Sequence, residues 1–422
     1  MPGRNAGQAS PDLAIIGGGI VGVSTAALLA AEGASVRLYE RFEVAAGASG
    51  RNSGVLQQPF DAVLAGLYRS SLNAYRALAS EDATFVLPTE PVGLMLVGRD
   101  PEIARHVAAA WARAWPDSHP EVLAGEDLRR TEGSLAADLV ACRLAIGFPV
   151  GPAAATHAFA GLATRRGAVI VVSDAEPAIE GGRVVGVRVG RRTERAGAVL
   201  VAAGPWTPDL IDPSGSWHPI RPVWGVVASL AIEAAPRHVL EAADIVIEPE
   251  GSADPSEAGN PNDPGRARGG PPSSGAGPEA PSDAGVDFSL VPAAGSSALG
   301  STFLSAEPEP AAWLPALRRV GARYVPSVAT APLVGLRHCA RPVSLDGRPL
   351  IGRVAGIRGL FVAAGHGPWG ISTGPGTARL IADVILGRID DDEVTRAVDP
   401  NRFGPPPAGT AGGQRQDSGS VT

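Results

Sequence analysis

Three glycines spaced for phosphate, followed by a carboxylate, are the most chemically pointed feature of this 422-residue chain. Gly17, Gly19 and Gly22 form a GxGxxG pattern after the apolar run Leu13 to Ile16. The first glycine of such a pattern permits a tight turn. The second lets the backbone approach a pyrophosphate, and the third lets a helix pack closely on the preceding strand. A helix opening at Ile20 and Val21 would offer unpaired N–H groups and the positive end of its dipole to phosphate. Glu40 follows Gly22 by 18 residues. It ends the next apolar run, where a carboxylate can bind ribose hydroxyls. The fingerprint by itself does not separate FAD from NAD.

Other chemistries are excluded by what the chain lacks. It contains no lysine, so Schiff-base and lysine-nucleophile mechanisms are ruled out. The two cysteines, Cys142 and Cys339, are too few for a disulfide scaffold and have no CxxC spacing. The seven histidines are scattered without HxH or HExxH, which argues against a protein metal site. A net charge of −7 leaves no electrostatic footprint for nucleic acid or for an anionic membrane.

The elements that must position the fingerprint follow from patterning. Asp12 to Ile16 reads as a buried strand, Ile20 to Glu32 as a helix capped by Gly33, and Ala34 to Glu40 as a second strand. Helices are expected over Asp61 to Leu78, Pro101 to Trp115 and Pro152 to Arg166. Strands are expected at Val169 to Val172, Val184 to Val189 and Ala198 to Ala202, the first two separated by a turn at Gly181-Gly182. Strand, Gly-rich loop and helix return between Leu360 and Ile385. Residues 249–284 hold eight Pro and seven Gly with no aromatic, Ile, Leu or Val, and read as a disordered insertion between strands at Ile245 to Ile247 and Val286 to Val291. Residues 403–422 read as a disordered tail. Leu13 to Ala31 is apolar enough to imitate a membrane helix, but Gly17, Gly18, Gly19 and Gly22 interrupt it. A soluble, cytoplasmic protein with no integral membrane segment is expected.

Four further segments carry a family resemblance. Glu40-Arg41 followed by Gly47-Ala48-Ser49-Gly50-Arg51-Asn52-Ser53-Gly54 resembles the loop after the second strand in FAD-dependent oxidoreductases of the D-amino acid oxidase, glycine oxidase and sarcosine oxidase family. Val199 to Trp206, which includes Ala203 and Gly204, is similar to that family's strand ending in Ala-Gly beside the FAD. Arg341-Pro342 with Asp346-Gly347-Arg348-Pro349-Leu350-Ile351-Gly352 resembles its RP…DGxPxIG segment. Ala363-Ala364-Gly365-His366-Gly367, then Gly370-Ile371, resembles its C-terminal flavin loop. These segments occur in family order from residue 12 to about 390.

The resemblance implies an α/β protein: a Rossmann-like FAD-binding domain with an interposed, largely antiparallel-sheet substrate domain of α+β type. The FAD-binding domain would comprise residues 10–85, 148–222 and 341–392, and the substrate domain 86–147 and 223–340. Non-covalent FAD would contact Gly17, Gly19, Ile20, Val21, Gly22, Glu40, Arg41, Ser49, Arg51, Asn52, Ser53, Gly54, Ala203, Gly204, Trp206, Gly365, Gly367, Gly370 and Ile371. Arg341 matches the arginine that binds the substrate carboxylate in glycine and D-amino acid oxidases, and a guanidinium is suited to a bidentate clamp. His366 stands beside the flavin loop, with flavin contact, substrate contact and a structural role all open. Trp224, Trp369, Tyr68 and Gln57-Gln58 are weaker site candidates. Cys339 lies seven residues before Asp346, the spacing at which some sarcosine oxidases attach flavin. The lysine by which sarcosine oxidases activate oxygen has no counterpart here.

The implied activity is oxidation of the CH–NH bond of a small amine, amino acid or related acid by hydride transfer to flavin. Oxygen or another acceptor would reoxidise the cofactor. CH–OH oxidation of a 2-hydroxy acid, and a non-catalytic FAD-binding subunit of a larger complex, are the alternatives. An NAD-dependent dehydrogenase is disfavoured by the C-terminal glycine loop.

Overall fold

The computed structural model describes residues 10–243, 281–293, 295–389 and 392–407. The chain opens with β1 (Leu13–Ile16), α1 (Ile20–Ala31) and β2 (Val36–Glu40), followed by α2 (Ala48–Arg51), β3 (Val55–Leu56) and α3 (Ala62–Glu81). Next come β4 (Leu94–Gly98), α4 (Pro101–Ala114), β5 (Glu121–Ala124), α5 (Gly125–Thr131), β6 (Val140–Leu144), β7 (Phe148–Pro149) and α6 (Pro152–Arg165). The middle contains β8 (Val169–Val172), β9 (Glu176–Glu180), β10 (Arg183–Val189), β11 (Arg192–Arg195), β12 (Ala198–Val201), α7 (Thr207–Ile211), β13 (Ile220–Leu230) and β14 (Val239–Ala242). The last third contains β15 (Val286–Val291), β16 (Ser297–Thr302), α8 (Pro310–Ala322), β17 (Leu333–Ser344), β18 (Leu350–Arg353), β19 (Leu360–Ala364), α9 (Gly370–Ile385) and α10 (Glu393–Ala397).

A six-stranded sheet has the order β18-β19-β12-β1-β2-β8. It is parallel except for the edge strand β18. β1 lies inside it with all four residues buried, as a strand covered on both faces must be. α1 crosses back over this sheet and is buried almost throughout, against α6 and α9.

An eight-stranded sheet, order β17-β13-β16-β15-β14-β4-β6-β5, is antiparallel apart from the β14–β4 pair. Its core packs α8 against Phe288, Leu290 and Leu299. Its two longest strands, β13 and β17, run through the expected domain limits at 222/223 and 340/341. They carry side chains towards the parallel sheet without a break.

One expectation is corrected. The turn at Gly181-Gly182 does not link Val169–Val172 to the next strand. It closes a hairpin of β9 and β10, which with β11 forms a separate three-stranded sheet, whereas β8 is the edge of the parallel sheet. Pro177 and two flanking glutamates obscured β9. Tyr68 is also corrected. It is 4% exposed in the core formed with α1 and α9, not at the cavity wall.

The strand expected at Ile245 to Ile247 lies outside the described residues, as do 249–280 of the insertion and 408–422 of the tail. Asp283, at the insertion's end, pairs with Arg319 and Arg323. At the start of the tail, Gly404 accepts from Trp217 Nε1 at 2.9 Å, so 403–407 are docked on the fold. No helix among the described residues is long and apolar enough to cross a membrane.

Candidate active site

A cavity of about 2750 Å³ runs from the β1–α1 turn to the inner wall of the eight-stranded sheet. At the first end the sequence dictates the turn. Gly17 has φ +118°, and a Cβ there would come 2.3 Å from the Ala202 carbonyl oxygen. A Cβ on Gly22 would lie 2.0 Å from the Gly17 carbonyl oxygen. Both positions therefore need hydrogen for strand, turn and helix to meet. Gly19 differs, because its Cβ would meet only Ser49 Oγ, at 3.0 Å. Gly19, Ile20 and Val21 at the start of α1 line the cavity, and with no acidic residue in the first turn the positive helix end there is not neutralised locally.

The segment after β2 closes over that end. Ser49 Oγ accepts from Ile20 N at 3.0 Å. Glu40 accepts from Gly18 N at 2.6 Å and from Phe42 N at 3.1 Å, which fixes its carboxylate at the strand end. Arg41 pairs with Asp174 at 3.3 Å. Asn52 Oδ1 accepts from Gly54 N at 2.8 Å, and its amide donates to the Ala48 carbonyl at 2.9 Å.

Arg337 of β17 was not foreseen. Its guanidinium donates to the carbonyls of Arg51 and Asn52 and, at 2.6 Å, to Ser229 Oγ. It ties the loop after β2 to the other sheet. Nothing in the sequence near Arg337 marks it, because its partners lie 108 to 286 positions away.

The C-terminal loop is held just as firmly. Pro375 inside α9 has no N–H, so the Ile371 carbonyl loses its helical donor. The Tyr75 hydroxyl of α3 donates to it instead, at 3.0 Å. Ser71 Oγ accepts from Gly376 N at 2.8 Å. His366 is 2% exposed, and its Nε2 lies 2.9 Å from Thr377 Oγ1. Burial lowers its pKa to about 4, so the imidazole is neutral.

At the far wall, Arg341 projects from β17. Nη1 donates to the Thr302 carbonyl at 2.7 Å, and Nη2 donates to Ser301 Oγ. One face of the guanidinium lies on Gly225, where a Cβ would come within 2.3–2.5 Å of it. Its carbon stands 4.3 Å from the centre of the Phe303 ring. Burial pushes its pKa below the ordinary arginine value, yet a guanidinium remains charged in any protein environment. Among the described residues its attractive carboxylate charge is Asp287 of β15, which lines the same cavity but forms no ion pair with it. Cys339, two residues earlier on β17, is 6% exposed with its thiol pKa raised by burial.

Glu241 of β14 was also not foreseen. It lines the cavity, accepts from Gln57 Nε2 at 3.1 Å, and has its pKa raised by burial to about 7.

The structure brings nearly all the anticipated residues to this one cavity, including Gly17, Gly19, Ile20, Val21, Glu40, Arg41, Ser49, Arg51, Asn52, Ser53 and Gly54. Ala203, Gly204, Trp206, Arg341, His366, Gly367, Gly370 and Ile371 line it too, with Trp224, Trp369, Gln57 and Gln58. Gly22 and Gly365 do not. Gly22 packs against the turn, and a Cβ on Gly365 would press on Leu350, Ser344 and Ile220 at 3.2–3.4 Å. Among the described residues, no cluster of His, Cys, Asp and Glu is arranged to hold a metal.

A dinucleotide of FAD's size fits these residues. The cavity is long, a helix N-terminus opens at one end, and a glycine-lined loop lies along it. Trp369 Nε1 and Ser344 Oγ at its wall are buried without hydrogen-bond partners among the described residues.

A Rossmann-like parallel sheet joined to an antiparallel sheet across a dinucleotide-sized cavity defines a flavin-type oxidoreductase class. Residues 12–384 match the DAO family of FAD dependent oxidoreductases, and the chain belongs to that family. Its cofactor is FAD. Among curated relatives it is 29% identical over 211 residues to a glycine oxidase of Pseudomonas aeruginosa, covering 50% of this chain and 47% of that protein. It is 28% identical over 239 residues to a D-amino acid dehydrogenase of Cereibacter sphaeroides, covering 53% and 44%. The matches thus span about half the length of these relatives. The fold is that of glycine oxidase from Bacillus cereus, with TM-score 0.71 and 22% identity over 90% of this chain and 96% of that one. It is also that of L-proline dehydrogenase from P. horikoshii, with TM-score 0.74 and 18% identity over 93% and 98%.

Proposed function

We propose that this FAD-dependent oxidoreductase oxidises the CH–NH bond of an amino acid whose carboxylate is held by Arg341. The observation that carries this reading is the guanidinium itself. It is positive, it lies deep in the cavity, and Gly225, Phe303, Ser301 and Thr302 hold its plane and two of its nitrogens. A buried charge is costly unless paired, and a carboxylate supplies both the charge and the planar geometry that a guanidinium matches. The relatives named as a glycine oxidase and a D-amino acid dehydrogenase support the same substrate class.

The bound FAD supplies the hydride acceptor. This chain's residues supply orientation and charge. Gly19, Ile20 and Ser49 would face the pyrophosphate, Glu40 the ribose, and the α9 N-terminus with Gly367 and Gly370 the ring. The positive end of α9 favours the negative charge that reduction places there. His366, neutral and bonded to Thr377, positions the loop and neither gives nor takes a proton near neutral pH. The raised pKa of Cys339 opposes thiolate formation, so the cofactor is held non-covalently in this reading. A cytoplasmic setting, and oxygen or another acceptor for reoxidation, belong to the same proposal.

The test is anaerobic flavin bleaching by amino acids, their decarboxylated amines and the matching 2-hydroxy acids. Amino acids should bleach the wild type fastest, and Arg341→Ala should slow them far more than the amines while FAD stays bound. Equal slowing of acid and amine would make Arg341 structural. Bleaching by 2-hydroxy acids alone would move the reaction to CH–OH oxidation.

A further inference from the structure

The wall that carries Arg341 also carries, three strands beyond its neighbour β13, a carboxylate that the reaction just described does not use. Glu241 stands on β14 and lines the cavity among Leu96, Val227, Val291 and Trp111. Its hydrogen-bond partner, Gln57, is fixed. Gln57 is 6% exposed, and its main-chain N–H donates to Ser372 Oγ at 3.0 Å. Gln57 thus aims one amide N–H at a carboxylate with about four acceptor positions. No arginine or histidine among the described residues forms an ion pair with Glu241. Burial raises its pKa to about 7, offset only in part by the Gln57 hydrogen bond. A carboxylate serving only to hold the fold together is ordinarily paired or multiply hydrogen-bonded.

Strand register places Glu241 relative to Arg341. Glu241 pairs with Ser289, and Ser289 pairs with Gly300. The next residue, Ser301, is the one whose hydroxyl receives Arg341 Nη2. β14 and β16, the strand that the Arg341 guanidinium reaches, are two strand spacings apart, on the order of 10 Å between main chains. At about 3.5 Å per three bonds, a chain of roughly six bonds with a hydrogen bond at each end covers that gap. Positive and negative groups therefore face one cavity about one extended basic amino acid apart.

We propose that Glu241 is a specificity-determining residue that receives the cationic end of the substrate side chain. The enzyme then takes a basic amino acid, with its carboxylate on Arg341 and its ammonium or guanidinium on Glu241, in preference to neutral ones. The orientation rests on the carboxylate role of Arg341 proposed above; the cation site on Glu241 does not.

The FAD-loaded enzyme is titrated anaerobically at pH 8 with 6-aminohexanoate and with hexanoate, following the flavin absorption band. These ligands share a carboxylate and differ by one distal ammonium, and neither has an α-amine. The aminoacid should bind at least about tenfold tighter, the order of one charge-assisted hydrogen bond. Glu241→Gln should bring the two affinities together. Equal binding in the wild type, no binding of either ligand, or a preference that survives Glu241→Gln would overturn the inference, and the wild-type comparison needs no variant to fold. Arg341→Ala separates the two readings. If it weakens both ligands alike, the carboxylate role stands. If it weakens neither while 6-aminohexanoate keeps its Glu241-dependent advantage, the Arg341 reading falls and the cation site stands.

Discussion

At the β1–α1 turn the cavity presents main-chain atoms, whereas at its far wall it presents side chains. The turn is built from residues adjacent in sequence, and what matters there is the absence of side chains at Gly17 and Gly22. The far wall is built from Arg341 on β17, Gly225 on β13, Ser301 on β16 and Glu241 on β14, four strands of one sheet. The first end offers a field from many aligned N–H dipoles and suits a cofactor part shared by many enzymes. The second offers discrete charges, which in the proposed reading select a substrate. One cavity thus joins an end of main-chain dipoles to an end of side-chain charges.

The largest effect should come from breaking the turn. Gly22→Ala puts a Cβ 2.0 Å from the Gly17 oxygen, so the variant should yield little soluble protein on expression. Gly19→Val is the sharper probe, since its Cβ meets only Ser49 Oγ. It should give soluble, colourless protein, and a full flavin spectrum would place the pyrophosphate elsewhere.

Next comes Arg341→Ala, which should retain FAD and lose about 2–5 kcal/mol of transition-state stabilisation, roughly 30-fold to several-thousand-fold in kcat/KM. Arg341→Lys should also be impaired because a point charge loses the fork. Gly225→Ala tests the sandwich without touching the charge. Its Cβ lies 2.3–2.5 Å from the guanidinium, so the fork must move. KM for an amino acid should rise about tenfold or more, with flavin content unchanged. An unaltered KM would show that the guanidinium plane does not set substrate position.

A pH effect should follow in size. The folded pKa of His366, about 4, lies below the ordinary 6.5, so its contribution to stability is lost as pH falls through that window. The folded pKa of Glu241, about 7, lies above the ordinary 4.5, so stability is lost as pH rises from 4.5 to 7. The two groups oppose each other over the shared range. Glu241→Gln should therefore raise the apoprotein Tm at pH 8 relative to wild type, by about 1 °C for each kcal/mol relieved, and change it little at pH 4.5. A Tm difference independent of pH would mean that Glu241 is ionised by a partner. The smallest effect belongs to Cys339→Ser. Acid precipitation of either protein should leave free FAD in the supernatant, and yellow precipitate from the wild type alone would establish a thiol link.

The sequence by itself determined the β1–α1 turn of this protein. Strand, GxGxxG turn, helix and Glu40 are consecutive, and local backbone sterics allow few arrangements of glycines at that spacing. It also disclosed the Arg341 and His366 segments by resemblance, without saying what surrounds them. Only the tertiary structure decided that His366 turns to Thr377 and stays neutral, that Tyr68 belongs to the core, and that Arg337 pins the loop at Arg51 and Asn52. It alone brought Glu241 and Arg341 to one wall of one cavity, because strands of one sheet are distant in the chain. The physical reason is that main-chain recognition depends on a few adjacent dihedral angles. The environment of a buried charge is the sum of everything that folds around it.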